Sequence, residues 1–223
     1  MLLVGMPCYG GLLHIDACKS MLEAAMVGVP FQWFAIGNES LISRARNYIF
    51  SYFVHNKAFS KLLFLDSDMY LSGNDIGKLY KDPKDIVGAA VRLKSNDTIY
   101  NFNAKQIIEE DNYYKVDKLG TAAICISRKA AEDIAGLCKA KGQVYGRTSI
   151  CMNLENNAPE EFYDAFPVGV KDGLYLSEDF FFCKNAKDLG YNIYVDRSII
   201  TIHNGMMPLN NVNTNLIEQP KKG

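Results

Sequence analysis

Two aspartates, Asp66 and Asp68, stand two positions apart at the end of the apolar run Lys61–Leu65. In an extended segment, residues two apart point the same way. The pair is therefore expected to aim two carboxylates at one point beyond a strand end, where open α/β sheets collect their ligands. Carboxylates so placed repel each other, and a divalent cation relieves the repulsion. Hard oxygen ligands suit Mg²⁺ or Mn²⁺, with a phosphate completing the shell. The plainer alternative is a pair of solvated loop aspartates, because the D-x-D pattern also arises by chance.

Glu178 and Asp179 form a second acidic pair at the start of a helix expected over Glu178–Leu189, with Ser177 as its N-cap. The helix dipole keeps a carboxylate there ionised, ready to take a proton from an attacking hydroxyl; ordinary first-turn acids look the same. His203 ends the apolar run Ile199–Ile202, where a neutral imidazole is a good ligand for Mn²⁺ or else a hydrogen-bonded surface residue. His14 and His55 fall within helical patterns and read as structural. Pro7-Cys8-Tyr9-Gly10-Gly11 follows the first strand; its glycines permit close backbone approach, and Tyr9 can stack on a base. It is neither a dinucleotide fingerprint nor a Walker A loop. Arg44 and Arg46 lie on different faces of a helix, so one of them can reach a diphosphate. Gly120-Thr121-Ala122 opens a strand, and its small residues would leave space for a sugar ring.

These residues need elements to carry them. Strands are expected at Leu2–Met6, Phe31–Ile36, Lys61–Leu65, Ile86–Val91, Ala122–Ser127, Asn192–Val195 and Ile199–His203. Helices are expected at Leu12–Val27, Leu41–Asn56, Ile76–Lys81, Arg128–Ala140 and Glu178–Leu189. The loop Gly37–Ser40 offers capping residues. Alternating Tyr, Phe and polar residues over Thr98–Lys118 suggest a hairpin, whereas Cys151–Gly173 reads as irregular. Alternating strands and helices in the first half imply a parallel sheet covered on both faces, with a mixed sheet later.

Composition narrows the function. The chain has 223 residues, almost half of them hydrophobic, and a net charge of −1. One domain with a sizeable core fits that length. The charge argues against a nucleic-acid backbone as the main partner. Six cysteines show no C-x-x-C pair, so they are expected to be reduced and mostly buried, as in a cytoplasmic protein. Met1–Pro7 is short and without a basic leader, hence a first strand and not a signal peptide. No apolar run reaches the roughly 20 residues that span a bilayer.

The order of these motifs resembles the GT-A fold glycosyltransferases: Pro7-Cys8-Tyr9-Gly10-Gly11, Ala45-Arg46-Asn47, Phe64-Leu65-Asp66-Ser67-Asp68, Gly120-Thr121-Ala122, Ser177-Glu178-Asp179-Phe180 and His203. The likeness covers about residues 1–205, and the chain is similar in overall look to small virus-encoded members, such as the chlorovirus enzymes that glycosylate capsid protein. It implies a single Rossmann-like α/β domain over 1–223, with a mixed, mostly parallel central sheet and a tail from about 206. It also implies a metal-dependent transfer of sugar from a nucleotide sugar, with uridine diphosphate the preferred carrier on family frequency, to a hydroxyl of a glycan or glycoprotein. By the same resemblance Asp66 contacts the donor ribose or the metal, Asp68 and His203 ligate Mn²⁺ or Mg²⁺, and Ser67 belongs to the donor set. Pro7, Cys8 and Tyr9 line the base, Arg46 approaches base or diphosphate, and Gly120 and Thr121 flank the sugar. Asp179 is the base of an inverting displacement, with Glu178 its near alternative. Cys151–Gly173 matches no motif and is expected to carry acceptor specificity. Two other classes compete: an aspartyl phosphohydrolase, whose D-x-D usually follows the first strand, and a non-catalytic nucleotide-sugar-binding module. A nucleotidyltransferase is disfavoured because Gly10-Gly11 lacks basic neighbours.

Overall fold

The computed structural model describes residues 1–95, 97–147 and 158–205, and the backbone of 209–210. The first half alternates as expected: β1 (Leu2–Cys8), α1 (Ile15–Met26), β2 (Phe31–Gly37), α2 (Ile42–His55), β3 (Lys61–Leu65), β4 (Met69–Leu71), α3 (Gly73–Lys81) and β5 (Ile86–Ala89). Short strands follow: β6 (Phe102–Asn103), β7 (Ile108–Glu110), β8 (Tyr113–Val116) and β9 (Lys118–Leu119). After them come β10 (Ala123–Ser127) and α4 (Arg128–Ala140). The chain continues through β11 (Val144–Gly146), β12 (Glu161–Tyr163), β13 (Gly169–Lys171), β14 (Leu174–Leu176), α5 (Glu178–Asp188), β15 (Ile193–Asp196), β16 (Thr201–His203) and β17 (Leu209–Asn210).

Among the described residues, eight strands form one sheet in the order β2-β1-β3-β10-β5-β15-β8-β7. The pairs β1–β2, β1–β3 and β5–β15 are parallel, and the other neighbours are antiparallel. By pairing, then, the sheet is not mostly parallel. Two strands cause this: β10 enters between β3 and β5 against both, and β8 runs against both of its neighbours. The hairpin expected over Thr98–Lys118 is present as β7–β8, turning at Asp111, whose φ is 53°. The segment expected to be irregular holds the strands β12 and β13, while 151–157 lies outside the described residues.

Both faces of the sheet are covered, and strand alternation decides which side chain goes where. Leu2, Val4 and Met6 of β1, with Leu63 and Leu65 of β3, pack against α1 and α3. Leu3, Leu62, Phe64, Ile124 and Ile126 point the other way, onto α2, α4 and α5. Gly5 lets α2 lie directly on β1, since a Cβ there would come 2.3 Å from Ile49. Gly73 does the same where α3 starts against the backbone of α1, at Glu23. Five cysteines are free, and of these Cys8, Cys125, Cys138 and Cys183 are buried; Cys151 lies outside the described residues. Among the described residues no helix is long and apolar enough to cross a membrane.

Arg128, the first residue of α4, fastens the end of α2. Its guanidinium donates to the carbonyls of Phe53, Val54, Asn56 and Phe59 and lies over the Phe53 ring, 3.9 Å from its centroid. Those of Phe53, Val54 and Asn56 are orphaned where the helix ends and that of Phe59 lies in the turn beyond, so one planar fork replaces several missing donors. Arg128→Met should lower stability by about 2–3 kcal/mol in urea unfolding, the cost of several charge-assisted bonds lost together. Full recovery in Arg128→Lys would show that charge alone, and not the fork, is what matters.

Candidate functional site

The acidic residues converge at the ends of β1 and β3. Asp66 leaves β3, but the chain does not stay extended: the Met69 N–H donates to the Asp66 carbonyl at 3.1 Å, closing a turn. The two aspartates therefore diverge instead of sharing one direction. Asp66 accepts from Arg46 Nη2 at 3.1 Å. Asp68 accepts from Lys94 Nζ at 2.5 Å and lies 3.7 Å from His203 Nε2. Among the described residues, no three of His, Cys, Asp and Glu come together as a set able to hold a metal ion. Asp68 and His203 meet; Asp66, expected as a third ligand, is turned to Arg46.

A small antiparallel sheet delivers His203. Strand β16 pairs with β4 so that His203 faces Met69, the neighbour of Asp68. Asn204 secures the junction, donating to the Asp68 carbonyl from its backbone at 2.8 Å and its side chain at 3.1 Å. His203 Nδ1 donates to the Arg92 carbonyl at 2.8 Å, which leaves Nε2 directed at Asp68. Burial would raise the Asp68 carboxyl, but His203 and Lys94 outweigh it and hold it down to about 2. Burial likewise opposes protonation of His203, yet Asp68 and the Arg92 carbonyl raise its pKa above the ordinary value.

Arg46 is the centre of the other half. It is 3% exposed, and its Nε reaches Glu178 at 3.4 Å while Nη2 holds Asp66. The guanidinium carbon lies 5.6 Å from the Phe64 ring centroid. Its third nitrogen, Nη1, is buried without a hydrogen-bond partner among the described residues, and so is the Oγ1 of Thr121, a residue 2% exposed. Arg44, on the other face as expected, pairs with buried Glu39 at 2.6 Å. Glu178 and Asp179 behave differently. Ser177 is the N-cap by position, but its hydroxyl donates to the Asp179 carboxylate and not to the helix backbone. The same Asp179 oxygen accepts from the Phe180 N–H at 2.7 Å. Asp179 makes no ion pair among the described residues, whereas Glu178 is committed to Arg46.

A cavity of about 290 Å³ opens beside these groups, lined by Pro7, Tyr9, Glu39, Ser40, Ile42 and the Asp66–Asp68 turn. Tyr9 is 76% exposed at its rim. Cys8 has its side chain in the core, with Sγ bonded to the Met6 carbonyl, so only its backbone can serve a ligand. Burial pushes that thiol up, and Asp66 adds to the effect. Gly120 does not leave room for a ring: Asn101 fills the space, 3.1 Å from where a Cβ would stand. His14 caps α1, accepting from the Asp16 N–H at 3.2 Å, instead of lying within it. Sequence reasoning missed Glu39, whose carboxylate accepts from the Leu41 N–H at 2.9 Å just ahead of α2, and Lys94. Glu39 stands in a loop marked for capping, which was a usable signal; Lys94 sits in a segment with no pattern at all. A larger cavity, about 610 Å³, lies along the outer face of α5, with Leu174, Leu176, Phe180, Lys118 and Lys184 in its wall.

Neither a family profile nor a curated protein matches the chain. Among solved structures it is similar to A197 from STIV, with a TM-score of 0.58 at 16% identity over 92% of this chain and 85% of that one. That likeness is one of fold: an α/β, Rossmann-like architecture around a large mixed sheet.

Removing Arg46 leaves two neighbouring carboxylates without their shared cation. Arg46→Met should destabilise by about 2–3 kcal/mol in urea unfolding, below the fully buried range because Asp66 and Glu178 keep some contact with water. A change under about 0.5 kcal/mol, the level of an ordinary surface substitution, would mean that the pair does not hold the site together.

Proposed function

We propose that the chain is a glycosyltransferase of the GT-A kind, moving a sugar from a nucleoside-diphosphate donor to a glycan or glycoprotein hydroxyl with inversion. One observation carries this reading. Arg46 gathers Asp66 and Glu178 around a buried guanidinium, and its Nη1 and the Thr121 Oγ1 are left unpartnered among the described residues. Buried polar atoms without partners are rare in folded proteins, and a ligand rich in hydroxyl and phosphate oxygens would satisfy them. The order of motifs along the chain points to the same class.

In this mechanism the donor lies in the cavity at the ends of β1 and β3. Its base stacks at Tyr9, with Pro7 in the cavity wall and the Cys8 backbone between them. Asp66 holds the ribose, and Ser67 and Arg46 approach the diphosphate. Thr121 donates to the sugar. Asp68 and His203 fit a divalent cation as two ligands, a carboxylate oxygen and an imidazole nitrogen, with phosphate and water left to complete the shell. Mn²⁺ or Mg²⁺ held there would neutralise charge on the leaving diphosphate. Asp179, which has no cationic partner among the described residues, takes the proton of the attacking acceptor hydroxyl. Glu178 is the alternative, although its ion pair with Arg46 suits positioning better. The α5 cavity beginning at Phe180 is the acceptor side, where an apolar floor and a rim of paired lysines and aspartates suit a sugar ring bearing polar groups.

A thermal-shift screen of nucleotide sugars with and without Mn²⁺ tests the donor. A ligand at ~100 times its dissociation constant should stabilise by about 2.7 kcal/mol, with uridine diphosphate sugars strongest. If no nucleotide sugar shifts the transition, the donor site is wrongly assigned; if only a guanosine or deoxythymidine donor does, the base is corrected. Asp179→Asn should retain donor binding and lose transfer by at least ~100-fold. Normal transfer by Asp179→Asn beside a dead Glu178→Gln would move the base to Glu178, and activity in both would refute the mechanism.

A further inference from the structure

Asp68 already has a cation. Lys94 Nζ stands 2.5 Å from Asp68 Oδ2, the same oxygen that His203 Nε2 approaches at 3.7 Å. A divalent ion taking that oxygen repels the ammonium beside it and draws on the same carboxylate charge, so the hold of Asp68 on Lys94 weakens. The metal and Lys94 therefore compete for Asp68.

The side chain is suited to leaving. Lys94 is partly exposed, and its flexible four-carbon stem lies along Gly205, which leaves it room: a Cβ at 205 would meet Lys94 Cδ at 3.3 Å. The other cations near this cavity are fixed. Arg46 is buried between two carboxylates, and Arg44 is held by two bonds to Glu39. Asp68 lines the donor cavity, so an ammonium released from it stays at the cavity's edge.

We propose that Lys94 is a displaceable counter-cation: it neutralises Asp68 while the site is empty and transfers to the donor's diphosphate when a divalent ion takes Asp68. This deepens the proposed function and rests on it for the identity of the diphosphate. Such an exchange keeps the aspartate compensated in both states. It also couples the two ligands, since phosphate that engages Lys94 frees Asp68 for metal, and metal on Asp68 frees Lys94 for phosphate.

The test compares wild type, Lys94→Met and Lys94→Arg by two measurements. Mn²⁺ alone is titrated by electron paramagnetic resonance of the free ion, and inorganic pyrophosphate is titrated by calorimetry in chelator. Lys94→Met should bind Mn²⁺ at least about threefold more tightly and pyrophosphate at least about threefold more weakly, the scale of a partly exposed ion pair. Lys94→Arg should stay near wild type in both. Opposite signs are the signature, since loss of folding would weaken both ligands. Both weakening together, neither changing, or no Mn²⁺ binding by any of the three proteins overturns the exchange. Opposite signs in a protein that turns over no nucleotide sugar would retire the glycosyltransferase reading and leave the exchange standing.

Discussion

A buried guanidinium must be compensated, and that requirement organises the site. Arg46 comes from the middle of α2, packed over Phe64, with almost no access to water. Uncompensated, such a charge is too costly to bury, so carboxylates have to meet it. One is Asp66, at the end of β3; the other is Glu178, 132 positions away in the first turn of α5. The ion pairs thus join the early, helix-alternating half of the chain to the late half that carries the second acidic pair. Lying over a ring and holding two carboxylates in a rigid fork is a task for arginine; a lysine's single ammonium offers no such geometry.

The turn at Asp66–Met69 divides the labour between two acids that are close in sequence. Had the segment stayed extended, both would face one ligand and repel each other. Because it turns, Asp66 belongs to Arg46 and α5, while Asp68 belongs to Lys94, His203 and the β4–β16 sheet. Each carboxylate then has its own compensation, and neither depends on a bound ion for the fold to close. Of the three ligands implied by resemblance, only Asp68 and His203 come together for this reason.

Much of this was legible in the residues, because strand ends announce themselves. An apolar run that stops at Asp66, a helix that starts at Glu178 and an apolar run that stops at His203 each place a polar group at an edge, and all three do reach one region of the fold. The illegible part follows from what period and propensity do not record. Nothing in Asp66-Ser67-Asp68 distinguishes a turn from an extended exit, and the difference came from the Met69 hydrogen bond. Gly120 reads as space for a ligand, yet Asn101, from the stretch read as a hairpin, packs against it, and alternation along a strand does not say what it will meet. Lys94 is invisible for a related reason: a lysine in an irregular stretch looks solvated until the fold brings an aspartate to it.

Strand direction settles the last member of the site. In an all-parallel sheet only the residues that follow each strand gather at the C-terminal edge. Here β10 runs against β3, with Ala123 opposite Leu65. The residues before β10 therefore lie beside the residues after β3, and the Asp66 N–H donates to the Ala122 carbonyl at 3.0 Å. That inversion brings Thr121 to the same edge as Asp66, where a further parallel strand would have left its entry loop at the opposite end. The antiparallel insertion that spoils the parallel pattern is thus also what brings a buried hydroxyl beside Asp66, and among the described residues that hydroxyl has no partner.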